Sequence, residues 1–338
     1  MGRVAVLRAS AHLALHLAFC PAFCLALVCA AAPMTAAAQV FPSKTVRIVI
    51  GVPPGGLSDT LARGLAGELS RTWGQPVIVE NRPGAADVVA ADAVAKSAAD
   101  GHVIYQTNGT VLLINQLLRK NLPFEAEKAF SPVIGLVRTS DVLVTRPGLG
   151  AASVQELVAL ARAKPGALNY GSLGIGSSTH LDVEKLSVTA GIRTTHIPYK
   201  GGVDVTKGLL AGDIDFAFNG LTSTIALIKQ GQVKALAWGA EQRSPLMPDV
   251  PTLAESGYRF DTGSWLGWFV PSGTPRAVAE KLSADAGRVL ATPAFRDKFV
   301  LGIGLEPLNL PVAEFATLVR DSREEYSALF RKIELKLE

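Results

Sequence analysis

Residues Thr45–Thr60 limit the possible folds of this chain more than any other stretch. Thr45-Val46-Arg47-Ile48-Val49-Ile50 is a short apolar run, and Leu57, Leu61, Leu65 and Leu69 then recur every fourth position, the spacing of one helix face. Gly51-Val52-Pro53-Pro54-Gly55-Gly56 lies between them, so the segment predicts a strand, a Pro/Gly turn and a helix start. The prolines stiffen the approach, and the glycines let other atoms come close above the turn. Ser58 or Asp59 is placed to cap the helix, whose first N–H groups have no partner inside it. A helix N-terminus held open in this way attracts anions.

The same unit recurs. Val77-Ile78-Val79 runs into Glu80-Asn81-Arg82-Pro83-Gly84 and an Ala/Val-rich helix, and His102–Gln106 opens into Thr107-Asn108-Gly109-Thr110. Further strands are expected at 133–137 and 142–144. A second block follows, in which Ser153 caps a helix ending at Lys164-Pro165-Gly166. Leu168-Asn169-Tyr170 then feeds the turn Gly171–His180, and 194–197 feeds Pro198-Tyr199-Lys200-Gly201-Gly202. Strands at 214–218, 233–238 and 265–270 precede helices over 275–290, 293–301 and 311–330. Strand–turn–helix alternation predicts an α/β chain with parallel sheets and covering helices. No Ser- or Gly-rich linker divides the two groups, so the domains are expected to exchange strands. All four turns follow strand C-termini, where open α/β sheets bind their ligands.

Composition narrows the function classes. A chain of 338 residues with 49% hydrophobic and 18% charged residues has ample core for two domains. Arg3, Arg8, an apolar stretch from about Leu13 to Ala32 and Ala36-Ala37-Ala38 read as an export signal cleaved before Gln39. A membrane anchor is the rival reading of that stretch. Without Arg3 and Arg8 the 33 basic residues fall to 31 against 29 acidic ones, and no basic patch points to nucleic acid. Cys20, Cys24 and Cys29 all lie in the leader, where lipidation is poorly supported because Phe19, Phe23 and Val28 precede them. The mature chain then has no disulfide, thiolate metal site or Cys nucleophile. Phosphate-loop, dinucleotide and G-x-S-x-G fingerprints are absent from the sequence. Ser177, His180 and Asp182 are too close in sequence to make a converging triad, and His180 is expected to orient its turn. His102 and His196 read as isolated strand histidines. Trp265 and Trp268 point to opposite sheet faces.

The run Phe41-Pro42-Ser43-Lys44, Pro53-Pro54-Gly55-Gly56 with Asp59, Gly74-Gln75-Pro76-Val77 and Glu80-Asn81-Arg82-Pro83-Gly84-Ala85 resembles the Bug-type periplasmic solute-binding proteins, the receptors of tripartite tricarboxylate transporters. Asp100-Gly101, Leu168–Ser172, Gly176-Ser177-Ser178 with His180-Leu181, and Pro198-Tyr199-Lys200-Gly201 continue the likeness. So do Arg243-Ser244-Pro245, Pro248–Thr252, Glu255-Ser256-Gly257, Pro271–Pro275 and Glu306-Pro307, over essentially the whole mature chain.

The resemblance implies a two-domain α/β periplasmic binding protein of type II-like form. Each domain would be a mostly parallel sheet with flanking helices, joined by two crossover strands near Val142–Thr145 and Ser264–Phe269, with a ligand cleft between. Domain I would span 39–141 plus 266–338, and domain II 142–265. A small carboxylate would be held at Pro54, Gly55, Gly56 and Leu57 with Asp59, largely by backbone groups and water. Gly174, Ile175, Gly176, Ser177, Ser178 and Thr179 would face it, with Tyr199, Lys200 and Gly201, while Thr107, Asn108 and Asn219 complete the set. No cofactor, metal or catalytic residue is implied. The partners would be membrane transporter subunits or a sensor, the chain a periplasmic monomer. An exported hydrolase or isomerase using His180 or Asp59 as base stays open as the alternative. Departures fall at Ala85-Ala86-Asp87, at Gly202-Val203-Asp204 and at Phe218-Asn219-Gly220, where many relatives carry Ala-Gly-Gly-Asn, a Ser/Gly-Pro pattern and Phe-Asp-Asn. Asp204 is expected to cap the helix after its loop.

Overall fold

A computed structural model describes residues 41–119, 121–260 and 262–333; the expected leader, its cleavage point near Ala38 and its three cysteines lie outside them. The strands are β1 (Val46–Ile50), β2 (Val77–Asn81), β3 (Val103–Asn108), β4 (Phe130–Thr139), β5 (Asp141–Thr145), β6 (Asn169–Ser172), β7 (Thr195–Pro198), β8 (Phe216–Gly220), β9 (Lys234–Trp238), β10 (Ser264–Pro271) and β11 (Glu306–Leu310). The main helices are α1 (Leu57–Trp73), α2 (Val88–Ala95), α3 (Val154–Ala163), α4 (Ser178–Ala190), α5 (Gly202–Ala211), α6 (Leu221–Lys229), α7 (Arg276–Ala291), α8 (Pro293–Phe299) and α9 (Val312–Phe330). Among the described residues no helix is long and apolar enough to cross a membrane.

They build a six-stranded sheet, β11-β4-β10-β3-β1-β2, and a five-stranded sheet, β7-β6-β8-β5-β9. The expected leucine stripe of α1 buries Leu61, Leu65 and Leu69, and Gly74 ends the helix in the left-handed region. Ser153 caps α3 by accepting the Glu156 amide. The first sheet's core gathers Tyr105, Trp265, Phe269 and Phe315, and one core of the second gathers Tyr170, Phe216 and Phe218.

The sheets are mixed rather than mostly parallel. Parallel pairing joins β2-β1-β3 and β7-β6-β8, while β3-β10-β4-β11 and β8-β5-β9 pair antiparallel. Parallel neighbours need a helical crossover, whereas β5 is simply the continuation of β4 and carries no such constraint. β11 was not expected from the sequence, because Pro307 and Asn309 break its pattern. It is an edge strand paired only to β4, where a proline needs no ladder partner.

Ser140 alone separates β4 from β5, so the chain changes sheet there. β4 runs in the same direction as β1, β2 and β3, and its last residue Thr139 pairs with Ser264 at the start of β10. β5 starts at Asp141, which pairs with Gly220 at the end of β8. The carboxyl edges of the parallel strands in both sheets therefore meet at this junction. The chain leaves the end of β9 at Gly239, which donates its amide to the Asp141 carbonyl, and enters β10 from Gly263 at the same place. Gly263 has φ +75, and a side chain there would lie 2.1 Å from the Thr139 carbonyl.

Two buried acids hold the junction. Asp182 on α4 accepts the Gly263 amide at 2.8 Å and hydrogen-bonds Asp141. Burial and the neighbouring Asp141 charge drive the Asp182 carboxyl well above the usual range, so the pair retains a shared proton. One turn on, Lys185 pairs with Glu325 of α9 at 2.7 Å, tying α4 to the other sheet's helix layer. Asp182→Asn keeps a donor and an acceptor at this point, whereas Asp182→Ala strands both the Gly263 amide and Asp141. Urea unfolding is expected to place the Asn variant within about 1 kcal/mol of wild type and the Ala variant about 2–4 kcal/mol below it. Equal losses in the two variants would rule out the shared proton.

Candidate ligand-binding site

The first turn is clamped from below. α1 is capped by the Gly56 backbone with no side-chain cap, so neither Ser58 nor Asp59 plays the expected part. Asp59, in the first turn, instead reaches back to accept the Gly55 amide at 2.9 Å. The same oxygen accepts Arg63 Nε, and the other accepts Asn81 Nδ2, which also donates to the Val52 carbonyl. The Arg63 hydrogen bond chiefly, despite burial, holds the Asp59 carboxyl at about 2. Ser58 is fixed by a chain in which Trp268 Nε1 donates to Gln106 Oε1 and Gln106 Nε2 donates to the Ser58 carbonyl and hydroxyl. The amides of Gly56, Leu57 and Ser58 head α1 with no carbonyl four residues back inside the helix.

The second turn is held by hydroxyls and imidazoles. Ser172 Oγ lies 2.6 Å from His196 Nε2 and accepts the Gly174 amide, while Ser177 Oγ donates to the Gly174 carbonyl. Thr179 Oγ1 accepts the Leu173 amide, and Ser177 caps α4 through the His180 amide. His180 orients the turn as expected, its Nδ1 accepting the Gly176 amide at 3.0 Å, which leaves the ring proton on Nε2. His196 is not isolated, since its ring stacks on His180 at 4.1 Å and on Tyr170 at 4.9 Å. Burial lowers His180 to about 3 and His196 to about 4, so both stay neutral at ordinary pH. The amides of Ser178 and Thr179 open α4 as those of Gly56 to Ser58 open α1.

The second turn reaches across the junction to the first sheet's side. A side chain on Gly176 would lie 2.6 Å from Leu118, in the helical turn that follows β3 and the Thr107-Asn108 strand end. Tyr199 donates its amide to the Ser172 carbonyl, so the Tyr-Lys-Gly loop lies against the second turn, with Lys200 exposed. Asn219 is buried against the start of α5. It is 1% exposed, and its amide nitrogen donates to the Gly202 carbonyl and Thr206 Oγ1. Asp204 does not cap α5, where Gly201 is the cap residue, and its carboxylate lies 3.5 Å from Lys207. Trp265 and Trp268 are both buried, donating to Ser322 and Gln106. Two hollows of about 790 and 490 Å³ lie away from these turns, lined respectively by residues such as Ile134 and Arg276, and Trp238 and Leu305.

Asp87 is the residue that sequence reasoning did not place in the site; its only signal was an acid where a turn normally carries glycine. It has φ +75, and its Oδ2 accepts Tyr105 OH at 2.7 Å and Thr107 Oγ1 at 2.8 Å. Its Oδ1 has no hydrogen-bond partner among the described residues, and a side chain on Gly51 would overlap it at 1.1 Å. The carboxyl thus sits beside the carboxyl ends of β1 and β3, where burial raises it to about 6.

Two sheets of flanked α/β type, with the carboxyl edges of their parallel strands at the chain crossings, give the fold of the periplasmic solute-binding proteins. The family model described as "Tripartite tricarboxylate transporter family receptor" matches residues 61–335. A UPF0065 protein of Bordetella pertussis is 34% identical over 92% of this chain and 96% of its own, and BugT of the same organism 31% over 91% and 94%. A Rhodopseudomonas palustris protein solved with adipate has a TM-score of 0.75 at 28% identity, covering 86% of this chain and 97% of its own. MatC of that organism, solved with malate, has a TM-score of 0.72 at 29% identity over 86% and 99%. The chain belongs to the tripartite tricarboxylate transporter receptor family.

Between about pH 4 and 6, a buried acid raised to about 6 is neutral in the fold while already ionised when unfolded. Its contribution is therefore whole below about pH 4 and lost as pH rises to about 6. Asp87→Asn does not titrate, so its stability relative to wild type is expected to grow by roughly 2–3 kcal/mol between pH 4 and 7 and then level off. A pH-independent difference in chemical denaturation would refute this account of Asp87.

Proposed function

We propose that this chain is an exported receptor that closes two lobes, 39–141 with 266–338 and 142–265, around a small carboxylate. It passes the ligand unaltered to a tripartite tricarboxylate-type transporter. The observation that carries the reading is that the carboxyl edges of the parallel strands in both sheets, each carrying a turn that opens a helix, face the point where the chain crosses between the sheets. Solved relatives of similar fold hold adipate and malate, acids that such amides suit.

Magnitudes agree with capture by amides. Micromolar affinity corresponds to about 8 kcal/mol. Hydrogen bonds to a charged carboxylate contribute ~1.5–3 kcal/mol each, and a helix N-terminus ~0.3–1 more. Three or four such contacts in a closed cleft exceed the ordering cost of a small rigid ligand. Contact with both lobes favours the closed form.

The enzyme reading is not favoured. A general base needs a free lone pair, and the His180 Nδ1 pair accepts the Gly176 amide. Both Asp59 oxygens are engaged, and at about 2 that carboxylate is a weak base.

Gly56 supplies the test, because its φ is −79 and a Cβ there meets nothing within 4 Å. Gly56→Leu is expected to change stability by about 1 kcal/mol or less and to lower acid affinity at least roughly tenfold. It should also abolish the ligand-induced decrease in radius of gyration measured by X-ray scattering. The probes are adipate, malate, hexanoate and phenylacetate, with recovery of each acid checked by mass spectrometry. Absence of compaction with a bound acid, or conversion of that acid, would defeat the proposal.

A further inference from the structure

Resting on that receptor reading, we infer that the ligand is a monocarboxylate with an apolar body, an alkyl or aryl acid, and that Asp87 helps to exclude acids with a second carboxylate. Most polar side chains of the strand-end turns are already engaged within the protein. Ser177 Oγ donates to the Gly174 carbonyl, Thr179 Oγ1 accepts the Leu173 amide, Thr107 Oγ1 donates to Asp87, and the Asn219 amide donates to Gly202 and Thr206. Backbone amides, the Ser178 hydroxyl and Lys200 are left to hold an anion, enough for one carboxylate pole.

Apart from Lys200, the large side chains that these turns leave exposed are apolar. Val52 stands in the first turn, Leu173 and Ile175 in the second, and Val203 follows the Tyr-Lys-Gly loop, each between 36% and 61% exposed. A ligand with an apolar body removes such surface from water, at roughly 25 cal/mol per Å². A citrate-like ligand would cover it with oxygens that find no donors.

Asp87 adds a sign preference. Its carboxyl is 7% exposed beside the ends of β1 and β3, with Oδ1 unpartnered among the described residues. A second carboxylate over these strand ends would meet a like charge across a poorly screened distance. An alkyl or aryl end meets no such penalty.

The test compares hexanoate with adipate, which share a carbon chain and differ by one carboxylate, using calorimetry on the mature chain at pH 7.5. Hexanoate is expected to bind roughly tenfold or more tightly than adipate, with phenylacetate alongside it. Asp87→Asn, which removes the charge and keeps the shape, should narrow the hexanoate–adipate ratio by raising adipate affinity. Ile175→Ser, at an exposed position, should weaken hexanoate several-fold and leave adipate nearly unchanged. Adipate binding as tightly as hexanoate, or a ratio unmoved by Asp87→Asn, would overturn this inference and leave the receptor reading intact. Failure of all the acids to bind would overturn both.

Discussion

One residue, Ser140, stands between the last ladder position of one sheet and the first of the other. A peptide chain this short cannot hold the sheets far apart, so the strand ends on both sides share a small region. The second passage, through Gly263, returns at the same point and packs so closely that only glycine fits against Thr139. Every turn of interest in the chain lies at this edge because parallel strands must carry their following turns at their carboxyl ends. The mixed pairing of the sheets follows from the same constraint, since strands that enter from the neighbouring sheet arrive without a helical crossover.

Around that edge the protein uses side chains to build turns and leaves backbone amides to meet solvent. Asp59, Asn81 and Arg63 fix the Pro-Gly turn; His180, Thr179 and Ser177 fix the Gly-Ser turn. A carboxylate inside the first turn does not cancel its pull on an anion, because Arg63 balances its charge. The neutral histidines likewise keep the second turn's field independent of pH over the range in which most proteins work. Amides held rigidly in this way require little reorganisation on meeting an anion, which is the physical sense in which the turns are prepared.

The buried acids are accommodated by different means. Asp141 and Asp182 share a proton and gain an amide and a nearby lysine, so neither is left as an isolated charge. Asp87 has two hydroxyl donors on one oxygen and, among the described residues, none on the other, a cost that core packing alone would not retain. Its left-handed backbone is one that glycine adopts more easily, so the acid stands there against both local preferences.

Local chemistry made much of this legible without coordinates. The leucine stripe of α1, the Ser153 cap, the orienting role of His180 and the order of strands and helices each depend on residues a few positions apart, and motif order carried the family. The cap at Gly56, the inward turn of Asn219 and the stacking of His196 on His180 depend on partners elsewhere in the fold. Pattern reading therefore had no access to them. β11 was hidden because an edge strand tolerates the proline that argues against a strand. The sequence by itself determined which turns exist and that each opens a helix. Only the tertiary structure decided that their strand ends face one crossing, that most of their hydroxyls are already bound and that Asp87 lies beside the ends of β1 and β3. The physical reason is that hydrogen-bond partners and burial are set by sheet pairing across long sequence separations, and the crossing at Ser140 fixes that pairing.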